Sequence, residues 1–179
     1  MEILFEGIKL RPWIISDAPH LALIADNKKI ADNLRDGLPS PYNLKDAQDW
    51  LNLILPENIP PRYFAIIIDD QIVGSIGIVS KTNIYRKNFE IGFFLSENMW
   101  GQGIMTRAIK ATISYAFSNF DIVRIYAEVF SDNLGSCKAL EKAGLKPEAI
   151  LRQSIIKNGI IKDSCIYSVL REDYNQVIL

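Results

Sequence analysis

Between residues 88 and 130 the chain reads as a strand, a glycine-punctuated turn, a buried helix and a second strand, and that order leaves few folds open. NFEIGFFL (88–95) is an aromatic-rich strand. The stretch GIMTRAIKATISYAFSNF then places Arg107, Lys110, Ser114 and Ser118 at spacings of three or four with apolar residues around the rest, which predicts a mostly buried helix. VRIYAEVF (123–130) follows as a strand. A mostly buried helix between two strands, within a chain of further strands and helices, is read as α/β (α+β).

The flanking segments fill in that sheet. IKLRPW is a strand, Ser16 to Asn27 a helix capped by Ser16 or Asp17 with Pro19 in its first turn, and Leu44 to Leu55 a second helix. RYFAIIID and IVGSIGIVS are strands joined at Asp69-Asp70-Gln71, a hairpin signal. Asn133 caps a helix that ends at Gly144, and the tail from Leu145 gives two strands turning at Lys157-Asn158-Gly159. The expected fold is a mixed, mainly antiparallel sheet with one central strand–helix–strand unit. PENIPP (56–61) reads as a short connection, so residues 1–179 are expected to form a single domain.

Composition narrows the partners. With 49% hydrophobic and 23% charged residues the chain has material for a substantial core. Twenty Lys and Arg against 21 Asp and Glu leave a net charge of -1, so the field that accompanies nucleic-acid binding is missing. Two cysteines and one histidine cannot build a disulfide framework or a four-ligand zinc centre, and no metal is expected. The first residues show no cationic segment followed by an apolar stretch, and the longest apolar run, Tyr63 to Ile68, is far short of the ~18 residues that span a bilayer. A soluble, cytoplasmic protein with no membrane partner is expected.

The chemistry is expected in WGQGIMT, Trp100 to Thr106. Its glycines let backbone N–H groups approach a ligand closely, and the start of the helix adds unpaired donors and partial positive charge, which together suit a phosphate or pyrophosphate. A P-loop needs a Gly-Lys-Ser/Thr ending that is absent. The dinucleotide fingerprint has Thr106 where its third glycine belongs, and Asp121, near the distance of a ribose-binding acid, precedes the next strand instead of ending it.

The segments KLRPWIISDAPHL, DNLRDGLPSPYNLKDAQDWL, NFEIGFFLSENMWGQGIMTRAI, DNLGSCKALEKAGLK and KNGIIKDSCIYSVLRED, in that order, resemble the RimJ/RimL-like branch of the GNAT superfamily of acyl-CoA N-acyltransferases, from Ile8 to about Tyr174. In the family's Q/R-x-x-G-x-G/A signature the matching residues are Trp100, Gly103 and Met105, so the central glycine fits and both flanking positions depart. The resemblance implies the GNAT fold and acetyl-CoA as co-substrate. It puts the backbone of Phe94, Leu95 and Ser96 along the pantetheine arm, with the Leu95 N–H donating to the acetyl oxygen. Gly101, Gln102, Gly103, Ile104, Met105 and Thr106 would hold the pyrophosphate, and Asn133 stands where the family sets an Asn against the arm, although a plain helix cap explains it equally well.

Acetyl transfer to an amine needs the amine neutral, a donor for the oxyanion and a proton for the departing thiolate. In YAEVF, Tyr126, Glu128 and Phe130 share one strand face, and Glu128 stands five residues before Asn133, where some relatives that acetylate ribosomal-protein N-termini have their base. Glu90 stands where the histone-acetylating relatives have theirs. The order of preference is Glu128, then Glu90, each also readable as a carboxylate paired with a nearby Arg or Lys. Leu140 occupies the position of the tyrosine acid of many relatives, and the RimJ/RimL-like pattern offers Ser136, whose hydroxyl would relay a proton from water.

Other residues carry less. Cys137 reads as a small buried hydrophobe, not an acyl carrier, and His20 as a surface residue. Trp13, Trp50 and Trp100 are expected in or beside the core. Asn33 and Arg35 in NLRDG are candidates for the acceptor pocket or a solvated turn. The expected activity is N-acetyl transfer from acetyl-CoA to a primary amine, a protein or peptide N-terminus being favoured, in a monomer or homodimer. A non-catalytic acyl-CoA sensor on the same fold and a dinucleotide-dependent oxidoreductase stay open as alternatives.

Overall fold

In the computed structural model, which describes residues 1–57 and 59–178, eight strands form one sheet. They are β1 (Ile3–Phe5), β2 (Ile8–Pro12), β3 (Tyr63–Ile68), β4 (Gln71–Ser80), β5 (Asn88–Leu95), β6 (Arg124–Phe130), β7 (Lys146–Lys157) and β8 (Ile160–Leu170). Six helices accompany them: α1 (Ala18–Ala25), α2 (Lys28–Ala31), α3 (Leu44–Ile54), α4 (Ile104–Asn119), α5 (Leu134–Lys142) and α6 (Arg171–Ile178). Strand order is β1-β2-β3-β4-β5-β6-β8-β7. The ladders β1–β2, β2–β3, β3–β4, β6–β8 and β7–β8 are antiparallel, and β5–β6 is parallel. Parallel pairing follows from the connection, because α4 carries the chain back past the full length of the strand before β6 begins. This is the mixed, mainly antiparallel sheet with a strand–helix–strand unit that the sequence predicts. Of the PENIPP connection, Asn58 lies outside the described residues.

The chain gathers into two compact units, residues 1–77 with 93–108 and residues 78–92 with 109–179. In the first unit, two hairpin turns illustrate how local chemistry sets the meander. Asp69 and Asp70 adopt φ of 47° and 59°, and Glu6 and Gly7 adopt 44° and 80°, the left-handed pairs that let a two-residue hairpin follow the strand twist. The same device recurs in the second unit at Asn158 and Gly159. β1 escapes prediction because three residues carry no measurable alternation.

The core of the first unit forms around Trp13, 1% exposed, which meets Trp50 edge-on at 6.1 Å, and Trp50 in turn meets Tyr63. Leu21 of α1, Leu51 and Ile54 of α3, and Ala65 and Ile67 of β3 join this cluster. α3 begins where Asn43 accepts from the N–H groups of Lys45 and Asp46 while the Asp46 carboxylate accepts from the Asn43 N–H, a reciprocal cap that fixes its first turn.

In the second unit the C-terminal segment is tied to the end of α4. The Arg171 guanidinium donates to the carbonyl of Phe117 at 2.6 Å, in the last turn of α4, which lacks an intrahelical partner, and to those of Phe120 at 2.7 Å and Ile122 at 2.8 Å just beyond the helix. Arg171→Met strips all three carbonyls of a charged donor. A loss of roughly 2–3 kcal/mol is expected, read as a lower urea midpoint with an unchanged slope.

Candidate active site

β5 ends in the first unit at a close approach of two backbones. A Cβ on Gly74 of β4 would come within 2.5 Å of the Phe94 carbonyl oxygen, so a side chain there would push the strands apart. The Ser96 N–H donates to the Val73 carbonyl at 2.8 Å, and the indole N–H of Trp100 donates to the Leu95 carbonyl at 2.7 Å. Two of the backbone groups on Phe94–Ser96 are therefore engaged within the fold. Trp100 is 44% exposed, against the expectation that it packs in or beside the core; its hydrogen bond, not burial, fixes the ring across the strand end.

A single 3₁₀ turn, Glu97–Met99, leads into the loop. Glu97 accepts from Asn27 and Lys29, and the Lys29 ammonium foremost holds its carboxyl below the usual range. Gly101 and Gly103 adopt φ of 77° and 72°, a region costly for any side chain, and Gln102 between them is pinned by a bond from its amide to the Asn98 carbonyl. Cβ atoms added at either glycine would meet nothing within 4 Å, so the loop turns an open backbone surface outward. Ile104 and Met105 are buried and anchor the first turn of α4, while Gly101, Gln102 and Gly103 are exposed. Left-handed glycines in open space before a sixteen-residue helix fit a pyrophosphate bound by backbone N–H groups.

In the second unit β6 alternates as predicted. Ile125 and Ala127 are buried on one face, and Tyr126, Glu128 and Phe130 point to the other. The parallel ladder runs from Asn88 opposite Arg124 to Glu90 opposite Tyr126, which sets the Glu90 carboxylate beside the Tyr126 hydroxyl at 3.3 Å. The Lys81 ammonium binds the same carboxylate oxygen, and Glu90 is 8% exposed. Burial alone would lower the Lys81 pKa, but the bonds to Glu90 and Tyr126 outweigh it and leave it raised. The Arg124 guanidinium lies 4.7 Å from the Tyr126 ring centre and binds Glu148, and Arg124, with help from Ser168, holds the Glu148 carboxyl low.

Glu128 has a different environment. The Ser164 hydroxyl donates to its Oε1 at 2.7 Å, and Ser154 Oγ lies 2.9 Å from Ser164 Oγ. Asn133 caps α5 by accepting from the Ser136 N–H at 3.2 Å, so the cap reading of Asn133 holds whatever else it does. Cys137 is 7% exposed and Leu140 fully buried, both as packing residues. Burial, followed by the neighbouring Cys137, pushes the Cys165 thiol up.

Asn33 and Arg35 belong to the turn after α2, in the first unit. The Asn33 amide donates to the Lys29 carbonyl at 2.8 Å, and the Arg35 carbonyl accepts from Leu38. His20 is exposed. Among the described residues no three His, Cys, Asp or Glu side chains group as metal ligands. Lys81, Ser164 and the hydroxyl of Tyr126 escape sequence reasoning, because each meets its carboxylate only through strand pairing across 9 to 36 residues.

The chain is 35% identical to "Probable N-acetyltransferase YjcK" of Bacillus subtilis (strain 168) over 60% of its own length and 60% of that protein's. It is 26% identical to the ribosomal-protein-serine acetyltransferase of Escherichia coli (strain K12) over 65% of each. The chain thus spans less than two thirds of the length of these relatives. The solved structure of RimL, a ribosomal alpha-N-protein acetyltransferase in complex with coenzyme A, superposes with a TM-score of 0.85 at 20% identity, covering 97% of this chain and 99% of that one, and so shares its fold. Residues 8–146 match the Acetyltransferase (GNAT) domain, and the chain belongs to that family.

Proposed function

We propose that this chain transfers the acetyl group of acetyl-CoA to a primary amine, and that the preferred acceptor is a protein or peptide α-amine. The observation that carries the reading is the loop of Gly101 and Gly103, both left-handed and open outward, at the N-terminus of α4. Its N–H groups would hold the pyrophosphate from Gly101 to Thr106. The backbone from Phe94 to Ser96 would lie along the pantetheine, with the Leu95 N–H as donor to the acetyl oxygen. Acetyl-CoA supplies an activated acetyl group with a thiolate leaving group.

Glu128 is assigned the base. It stands five residues before Asn133, the position at which the family resemblance sets a base, and the Ser164 hydroxyl donates to its Oε1; at Glu90 a proton would have to displace the Lys81 ammonium. Glu128 takes a proton from the acceptor ammonium, the neutral amine attacks the acetyl carbon, and the second N–H proton is lost to water as the C–S bond breaks and the amide forms. Ser136, in the first turn of α5, relays a proton from water to the departing sulfur. Asn133 can serve the arm through its amide nitrogen while its oxygen caps the helix.

The acceptor follows from proton energetics. Neutralising a lysine amine of pKa about 10.4 at pH 7 costs roughly 4 to 5 kcal/mol, whereas an α-amine near 7.7–8.0 costs about 1 to 1.4 kcal/mol. A site whose acid is a serine, with Leu140 in place of tyrosine, suits the easier proton. RimL and the ribosomal-protein-serine acetyltransferase, by their names, support the same class. In competition at equal concentration, a peptide with a free α-amine is expected to be acetylated ahead of the same peptide with a blocked N-terminus and a free lysine, as read by mass spectrometry. Preference for the lysine peptide overturns the acceptor assignment, and no turnover with either overturns the activity.

A further inference from the structure

β7 departs from regular pairing at two places, between Pro147 and Ala149 and, more widely, between Leu151 and Ile155. Leu151 faces Ser164 and Ile155 faces Lys162, so Arg152, Gln153 and Ser154 all stand against Asp163 alone. Gln153 takes φ of 53° there, and its N–H donates to the Asp163 carboxylate at 2.7 Å, which fixes the bulge. The bulge brings Ser154, an exposed residue, to the fully buried Ser164. Ser164 in turn faces Phe130 in the β6–β8 ladder, and Ile166 faces Glu128, so Ser164 and Glu128 are diagonal neighbours on one face of the sheet.

We propose that Ser164, seated by the bulge through Ser154, is the positioning residue that orients Glu128 and conducts its proton to solvent. The inference rests on Glu128 being the base. The three oxygens form a chain satisfied in both states of the carboxyl. With Glu128 ionised, Ser154 donates to Ser164 and Ser164 donates to Glu128 Oε1 at 2.7 Å. With Glu128 protonated by the amine the bonds reverse: Glu128 donates to Ser164, Ser164 to Ser154, and Ser154 to the Leu151 carbonyl, 3.0 Å away. Only hydroxyl hydrogens turn. In the transfer Glu128 passes its proton to Ser164, Ser164 passes its own to Ser154, and Ser154 releases one to water at the exposed bulge. Proton count is conserved, and the transfer leaves Ser154 donating to Ser164 and Ser164 to Glu128, the arrangement of the ionised state; the two hydroxyls rotate when Glu128 next takes a proton.

The test uses the whole chain carrying Ser164→Ala or Ser154→Ala, each alone and combined with Glu128→Gln, with acetyl-CoA and an α-amine peptide. Ser164→Ala is expected to lower kcat about tenfold and Ser154→Ala about threefold, the scale of losing one bond to a charged group and one between neutral hydroxyls. KM for acetyl-CoA stays unchanged, and neither substitution slows the Glu128→Gln enzyme further. A merely structural role would lower kcat by the same factor in both backgrounds, and that result overturns the proposal, as does wild-type kcat in the serine variants. Ser154 is exposed, so its variant decides the matter even where Ser164→Ala fails to fold. If Glu128→Gln itself leaves kcat unchanged, the base assignment has failed and the proposal falls with it. A slow Glu128→Gln enzyme beside unaffected serine variants rejects the serine chain alone.

Discussion

Replacing Glu128 with Gln is expected to lower kcat about a hundredfold, the lower end of what a positioned general base contributes, and to abolish the alkaline-rising limb of the kcat–pH profile. Gln keeps the shape of the side chain and an oxygen that accepts from Ser164, so the loss isolates proton transfer from packing. Thermal stabilisation by acetyl-CoA should survive. The matching change at Glu90 should act differently, because that carboxylate is 8% exposed and joined to Lys81 and Tyr126. Glu90→Gln is expected to destabilise the fold by roughly 2 kcal/mol, less than a fully buried pair because the Lys81 side chain keeps 29% exposure, with kcat nearly unchanged. Wild-type kcat in both variants between about pH 6 and 9 would mean that bulk water deprotonates the amine, and would remove Glu128 from the mechanism.

The second large effect belongs to the loop. Acetyl-CoA at a hundredfold excess over its Kd should stabilise the native chain by about 2.7 kcal/mol, a rise in Tm of roughly 5–10 °C for a domain of this size. Gly103→Val should abolish the rise. The cause is not a clash within the protein, since nothing lies within 4 Å of a Cβ at Gly103; it is the φ of 72°, which a β-branched residue adopts only under strain, together with a side chain intruding where the pyrophosphate would rest. An undiminished shift in this variant would show that the loop does not hold the phosphates. Measuring each variant against its own ligand-free Tm separates lost binding from lost stability.

What the sequence alone determined is the set of elements whose cause is local. β5 occupies 88–95 and α3 begins at Leu44, as read from pattern, and Asn133 caps α5, because alternation, helical periodicity and an Asn cap act within a few residues. The turns at Asp69-Asp70 and Asn158-Gly159 follow from residues that tolerate positive φ. The loop from Trp100 to Thr106 was legible for the same reason, since glycine spacing before a helix is itself the device. Only the tertiary structure decided the surroundings of the two carboxylates. Nothing in the order of the strands along the chain requires β8 to lie between β6 and β7, yet that order sets Ser164 diagonal to Glu128. The parallel register of β5 on β6 likewise gives Glu90 to Tyr126, and Lys81 closes the pair from across a turn. Two carboxylates of the same residue type, on neighbouring strands, thus differ in partner through pairings up to 36 residues apart, and local propensity carries no information over that separation.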